Sequence, residues 1–113
     1  MVKAIALIKR KPGLSREEFV RHYEEVHAPL AVKYFPTLKR YVRNHIITPL
    51  GAEEPEFDCI TEFWYEDMEG LQAVVDALGD YETEIGQIFR DDEETFMDRS
   101  KTVAFLVEEK VSK

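Results

Sequence analysis

Residues 2–30 read VKAIALIKRKPGLSREEFVRHYEEVHAPL, and this stretch places a strand, a turn and a helix in succession. Apolar side chains occupy both alternating faces of residues 2–10, which predicts a strand that is buried on both sides. A Pro-Gly pair then ends the strand. Ser15 is a strong helix N-cap, and Glu18 three residues later completes a capping box. The chain is therefore expected to open with a strand that leads into a capped helix.

The helix that follows Ser15 carries one apolar stripe and a proline. The stripe has the spacing of a single helical face, and its members are Phe19, Val20, Tyr23, Val26 and Leu30. Pro29 biases Ala28 away from helical dihedral angles, so the helix is expected to end or kink near His27. A second, shorter helical piece is expected to continue to Phe35.

Strand and helix patterns continue through the rest of the chain. Residues 38–48, 57–66 and 101–109 read as three further strands, and a helical region that Asp67 caps lies before the last of them. The order strand, helix, strand, strand, helix, strand predicts a ferredoxin-like βαββαβ unit of the α+β class, with a four-stranded antiparallel sheet. We expect residues 1–113 to form a single domain.

The first and last predicted strands are apolar on both faces. The helices can cover only one face of the sheet. The other face therefore needs a cover, and a second copy of the same sheet can supply it. The sequence thus predicts a homodimer with two-fold symmetry.

Charge and cysteine content restrict the partners and the compartment. The net charge is −8 over 113 residues, and neither nucleic acid nor anionic membrane is expected as a partner, because both are bound through excess Lys and Arg. Basic residues are concentrated in the first half and acidic residues in the second. The charges of the two halves could neutralise each other in one fold. Alternatively, the basic residues of the first half could form a patch for an anionic ligand. The single cysteine, Cys59, excludes an intrachain disulfide, and a cytoplasmic location is expected.

Several segments resemble one known family. Residues 8–30, IKRKPGLSREEFVRHYEEVHAPL, are similar to the opening signature of EthD-domain proteins, with a basic strand end, a Pro-Gly turn, a capped helix and His-x-Pro-Leu. YVRNHI and FDCITEFWYED resemble the second and third strands of that family, and FMDRSKTVAFLVEE is a weaker match. The resemblance implies a dimeric α+β barrel in which a ligand commonly lies between the sheet and its helices. Tyr23 departs from the family, which often has Trp there, so the pocket size does not transfer.

His27 is the first candidate for catalysis. It lies within the arc of the apolar stripe, and an inward-facing histidine can act as a general acid or base near neutral pH. The alternative is a structural histidine that bonds to carbonyl groups at the helix end. His22 lies on another face of the same helix and is expected at the surface.

His45 and Glu62 are the other two candidate catalytic residues. His45 alternates with Asn44 on the second predicted strand, so only one of these two side chains can face a pocket beside the helices. Glu62 is flanked by apolar neighbours, which would raise the pKa of its carboxyl and allow proton exchange with a histidine. The alternatives are a partly exposed edge strand for His45 and a salt bridge to Arg40 or Arg43 for Glu62.

A further group of residues could bind a substrate. Its members are aromatic or amide side chains that suit an apolar pocket with a few polar groups, namely Tyr23, Tyr41, Asn44, Trp64 and Phe96. Core packing explains the aromatic ones equally well. The chain has no HExxH, CxxC, GxSxG or Gly-rich phosphate loop, and neither a metal nor another cofactor is expected.

Three hypotheses for the function follow from these residues and from the resemblance. The first is a cofactor-free enzyme of the isomerase, cyclase or dehydratase type, which would transfer a proton on a small hydrophobic compound. The second is a non-catalytic ligand-binding or accessory protein of a degradation pathway. The third is a haem-handling protein with His27 or His45 as the axial ligand. Turnover would separate the first two, and an absorption spectrum would identify the third.

Overall fold

The computed structural model of the chain describes residues 1–51 and 53–113. Its strands and helices follow the order expected from the sequence, and each strand is shorter than expected. The elements are β1 (Val2–Ile8), α1 (Arg16–His22), a π-helical turn (Tyr23–His27), α2 (Ala28–Tyr34), β2 (Leu38–His45), β3 (Cys59–Tyr65), α3 (Met68–Gly79), α4 (Glu84–Phe96) and β4 (Val103–Val107).

The four strands form one antiparallel sheet in the order β2-β3-β1-β4. The two halves of the chain therefore interleave, since β1 lies between β3 and β4. This topology confirms the ferredoxin-like α+β prediction. Ion pairs also join the halves, for example Lys3 to Glu109 at 2.8 Å and Lys9 to Asp58 at 3.6 Å.

The first helix, which consists of α1, the π-helical turn and α2, does not end near His27 but changes to π-helical geometry there. The capping box of Ser15 and Glu18 is present. Ala28 has helical dihedral angles of −61° and −44°, contrary to expectation, and its amide donates to the carbonyl of Tyr23 five residues earlier. Pro29 has no amide to donate and its ring would clash with a carbonyl in a regular α-helix. The wider π turn accommodates the proline without ending the helix.

Alternation along the strands gives the sheet two different faces. Ala6, Ile8, Cys59 and Thr61 lie on the helix-covered face and are buried. A bulge between Leu38 and Arg40 changes the alternation at the start of β2. Leu38 therefore faces the helices together with its partner Tyr65, whereas Val42, four residues later, pairs with Glu62 on the opposite face.

The face without helices exposes apolar side chains. Ile60, Val103 and Phe105 are exposed by 37%, 45% and 45%, and Ile5 of β1 pairs with Phe105 and Glu62 there.

Among the described residues, no helix is long and apolar enough to cross a membrane.

Candidate functional site

A cavity lies between the helix-covered face of the sheet and the helices, and we call it the central cavity. Its volume is about 250 Å³. Its walls are mainly apolar and aromatic, and the polar side chains among them are those of Tyr23, His27, Tyr41, Tyr65, Glu93 and Thr102. An apolar recess with a few polar groups is the usual form of a small-molecule site. Of the sequence-predicted site residues, the fold brings His27, Tyr23 and Tyr41 together here.

His27 is held in place by a carboxylate that the sequence did not single out. Its Nδ1 lies 2.8 Å from Oδ2 of Asp92 on α4, and the other carboxylate oxygen lies 2.8 Å from Nε2 of His22. Asp92 thus bridges two histidines of the first helix. His22, expected at the surface, is partly buried as a result. The structural alternative for His27, a bond to carbonyl groups at a helix end, is replaced by a bond to a side chain of another helix.

The charge of Asp92 determines which nitrogen of each histidine donates to it. Burial alone raises the pKa of Asp92, but hydrogen bonds from His27 and His22 outweigh it and hold the pKa below its usual value. The ionised carboxylate can only accept, so Nδ1 of His27 must donate. In a neutral imidazole this leaves Nε2 as the acceptor of a ring that lines the central cavity. Such a nitrogen can take a proton from a bound ligand.

A chain of hydroxyl groups lies beside the histidine. The Tyr23 hydroxyl lies 2.7 Å from Oγ1 of Thr61, and the Tyr41 hydroxyl donates to that of Tyr23 over 3.2 Å. Burial is the largest cause that raises the pKa of both tyrosines above the usual value. Both phenols therefore stay protonated at neutral pH. They can position an oxygen of a ligand, but they cannot supply a phenolate base.

Phe96 and Cys59 belong to the core rather than to the cavity wall. Phe96 is fully buried, and its ring centroid lies 4.9 Å from that of His27 and 5.4 Å from that of Tyr23. It supports the two polar residues from behind. Cys59 is fully buried as well, and burial raises the pKa of its thiol to about 11. A thiol with such a pKa is a poor nucleophile at neutral pH.

His45 faces the helices, but it lies outside the central cavity. Its Nε2 is 2.7 Å from Glu24, whose carboxylate also receives two hydrogen bonds from Arg43 at 2.6 and 3.0 Å. The Arg43 bond is the largest cause that lowers the pKa of Glu24, to about 2. Within residues 1–51 and 53–113, Nδ1 of His45 is buried without a hydrogen-bond partner. This cluster ties β2 to the first helix, and the fold does not bring His45 to His27.

Glu62, Asn44 and Trp64 lie on the opposite face of the sheet, so they do not reach the central cavity. Glu62 accepts from Asn44 at 3.1 Å and from Trp64 at 3.3 Å, and it pairs with Lys3 at 3.1 Å. The Asn44 bond is the largest cause that lowers the pKa of Glu62, opposite to the expected rise. The expected salt bridge exists, but its cation is Lys3 instead of Arg40 or Arg43.

Sequence analysis missed Asp92 and Glu93 because both belong to an acidic run that is typical of a solvated helix surface. The helical periodicity nevertheless indicates which of these carboxylates faces the core. Asp92 lies three residues after Phe89 and four before Phe96, so it shares their face of α4. Burial is the largest cause that raises the pKa of Glu93, which lines the central cavity. In the described part of the chain, no three His, Cys, Asp or Glu side chains converge as metal ligands would.

Comparison with a family model relates the chain to known proteins. The model of the EthD domain matches residues 11–100. The comparison with curated proteins finds no significant match. The matched region contains α1 to α4 and two of the four strands, β2 and β3.

Solved structures with the same fold include one at moderate sequence identity. An ethyl tert-butyl ether D (EthD) family protein from Bacillus halodurans C-125 is 28% identical, with a TM-score of 0.69 over 97% of this chain and 99% of that chain. A dimeric protein of unknown function with a ferredoxin-like fold, from Bacteroides fragilis NCTC 9343, is 10% identical, with a TM-score of 0.60 over 95% and 94% of the two chains. A dimeric ferredoxin-like protein of unknown function from Thermobifida fusca YX is 15% identical, with a TM-score of 0.55 over 94% and 88%. The last two similarities show the fold alone.

Proposed function

The chain belongs to the EthD family, and we propose that it is a cofactor-free enzyme that transfers a proton on a small hydrophobic compound bound in the central cavity. The proposed reaction is an isomerisation, a cyclisation or a dehydration. His27 is the proposed base, and Tyr23 and Tyr41 are the proposed polar contacts of the ligand. We also propose that the protein works as a cytoplasmic homodimer.

The observation that carries this proposal is the position of His27 between the central cavity and Asp92. Its Nδ1 is 2.8 Å from the Asp92 carboxylate, and its ring lines the cavity. A carboxylate that fixes one nitrogen of an imidazole orients the other nitrogen and stabilises the imidazolium formed after proton uptake. A purely structural histidine would not need to border a cavity.

The cavity walls support a small and mainly apolar ligand. The volume of about 250 Å³ lies just below the range of roughly 300–1,000 Å³ typical of ligand sites. Phe35, Phe63 and Phe89 supply aromatic surface, and the polar groups are few. Within such walls a proton transfer between His27 and a carbonyl or hydroxyl compound requires no further reagent.

Two observations support the homodimer. The sheet face without helices exposes Ile60, Val103 and Phe105, and removing this apolar area from water favours association. Two proteins of the same fold are described as dimeric. In this arrangement Glu62, Asn44 and Trp64 would lie at the interface, on the side of the sheet away from the central cavity.

Two histidines of the same helix provide a matched experiment. His27 and His22 each make one 2.8 Å hydrogen bond to Asp92, but only His27 lines the central cavity. We expect His27→Ala and His22→Ala to lower the melting temperature by similar amounts. Only His27→Ala should change the binding or turnover of small phenols, lactones and polyketide-like aromatics. Saturation-transfer NMR measures the binding, and product analysis by mass spectrometry measures turnover.

Each outcome of this comparison has a defined meaning. If both variants bind the compounds as the wild type does, the assignment of His27 to the ligand site is wrong. If the wild type binds a compound through His27 but never converts any member of the panel, a non-catalytic binding protein becomes the better description.

A further inference from the structure

A second recess lies against the central cavity, between the end of α3 and α4, and we call it the outer recess. Its volume is about 330 Å³. Val75, Leu78 and Glu93 line both the outer recess and the central cavity. These three side chains form the boundary between the two spaces, so the outer recess adjoins the central cavity on its outer side. A ligand longer than the central cavity would extend into it.

Two arginines and a tyrosine form the polar wall of the outer recess. The guanidinium carbons of Arg90 and Arg99 lie 4.8 and 5.6 Å from the centroid of the Tyr81 ring. Arg99 also donates a hydrogen bond of 2.6 Å to the Tyr81 hydroxyl. Stacking and hydrogen bonding hold both guanidinium groups in place, which lowers the entropy lost when they bind a ligand.

The acidic neighbours of these arginines lie at distances too long for good hydrogen bonds. Glu94 pairs with Arg90 at 3.5 Å and with Arg99 at 4.0 Å, but its side chain is 56% exposed, so water and salt screen both pairs. Glu93 lies 3.6 Å from Arg99. That distance is longer than a hydrogen bond, so the donors of Arg99 are not used up by Glu93. The recess therefore places two guanidinium groups beside the apolar walls of Val75 and Leu78.

We propose that the outer recess is an anion subsite, which binds the carboxylate of an amphipathic acid whose apolar part occupies the central cavity. This inference rests on the proposed function, because it names the class of ligand for the same site. Guanidinium groups recognise carboxylates through paired, charge-assisted hydrogen bonds. The apolar shared walls of Val75 and Leu78 suit the segment that joins the carboxylate to the apolar part of the ligand.

Two probes that differ only in charge test this subsite. 2-Naphthoate and 2-naphthalenemethanol have the same ring system, but only the first is anionic. We expect the wild-type protein to bind 2-naphthoate at least tenfold more tightly by isothermal titration calorimetry. Arg90→Gln with Arg99→Gln should remove this preference and leave the affinity for the alcohol within about twofold of the wild type. Arg21→Gln, an exposed arginine of α1, is the matched control and should change neither affinity.

Further measurements distinguish three causes of a negative result: the outer recess does not bind anions, a variant is misfolded, or the central cavity does not bind the probes. Because Arg99 bonds to Tyr81, the double variant is checked by circular dichroism, and Arg90→Gln alone serves as a milder change that should reduce the preference partly. Equal affinity of the wild type for both probes, or an equal loss of both in the arginine variants, would overturn the anion subsite while the central cavity remains a binding site. If neither probe binds the wild type, the central cavity is not a site for such compounds and both proposals fall.

Discussion

Replacing Asp92 with Asn should destabilise the protein by about 2 kcal/mol at neutral pH. The carboxylate accepts one hydrogen bond from His27 and one from His22, both 2.8 Å long. An asparagine oxygen can still accept one of them, but its amide group presents a donor to the other ring nitrogen. Hydrogen bonds to charged groups contribute roughly 1.5–3 kcal/mol each. A loss of about 2 kcal/mol corresponds to a melting temperature lower by roughly 8–12 °C for a domain of this size.

The effect should depend on pH in a defined direction. Burial opposes the charge of Asp92, but the two histidine bonds outweigh it and lower the pKa in the folded state. A depressed folded-state pKa stabilises the protein above the unfolded value, about 3.9 for Asp, and this stabilisation is lost as the pH falls through the lower, folded value. The difference between wild type and Asp92→Asn should therefore be largest above about pH 5 and should shrink in stronger acid.

Urea unfolding and thermal melting, followed by circular dichroism at pH 7 and at pH 3, measure both effects. Asp91→Asn is the matched control, because Asp91 is the preceding residue of α4 and is exposed; it should melt within about 2 °C of the wild type. The reasoning is refuted if Asp92→Asn melts like the wild type at pH 7. It is refuted equally if the difference is as large at pH 3 as at pH 7.

Three more predictions test assembly, the hydroxyl chain and haem. Light scattering should give about twice the chain mass of 13.2 kDa, and a monomeric wild type would exclude the dimer. Phe105→Glu should yield monomers, whereas the control Val32→Glu, on the exposed side of α2, should remain dimeric. Tyr23→Phe removes a fully buried hydroxyl with two hydrogen-bond partners and should lower the free energy of unfolding in urea by about 1–2 kcal/mol. An unchanged unfolding midpoint would show that these hydroxyl hydrogen bonds do not stabilise the protein. Haemin should give no saturable Soret shift, because the central cavity of about 250 Å³ is too small for a haem and His45 lies outside it. A stoichiometric shift that His27→Ala or His45→Ala abolishes would contradict this.

Features that depend on nearby residues could be predicted from the sequence. The Ser15–Glu18 capping box needs only residues three apart in the chain, and Pro29 acts on the turn that precedes it. Residues 57–66 were also identified as a strand from their local pattern, and β3 lies within them. Local rules of this kind fixed the order of elements, and the order of elements fixed the fold class.

Features that depend on distant residues could not be predicted in the same way. Asp92 reaches His27 across 65 positions of the chain, and nothing in an acidic run indicates which member turns inward except its helical phase. The pKa of Glu62 was predicted in the wrong direction, because Asn44 on β2 donates a hydrogen bond to its carboxylate and Lys3 on β1 pairs with it. The bulge at Leu38 has no sequence signal that the alternation rule would detect.

Strand alternation separates ligand binding from assembly in this protein. Tyr41 and Phe63 pair across β2 and β3 and face the central cavity, whereas their neighbours in sequence, Val42 and Glu62, pair on the opposite face. A sheet is only one layer thick, so each substitution on β3 acts mainly on one side of it. If the exposed face is the dimer interface, the residues that bind the ligand and the residues that bind the second copy can change independently. Such a division would allow one dimeric scaffold to hold different ligands, since the cavity can vary while the interface is kept.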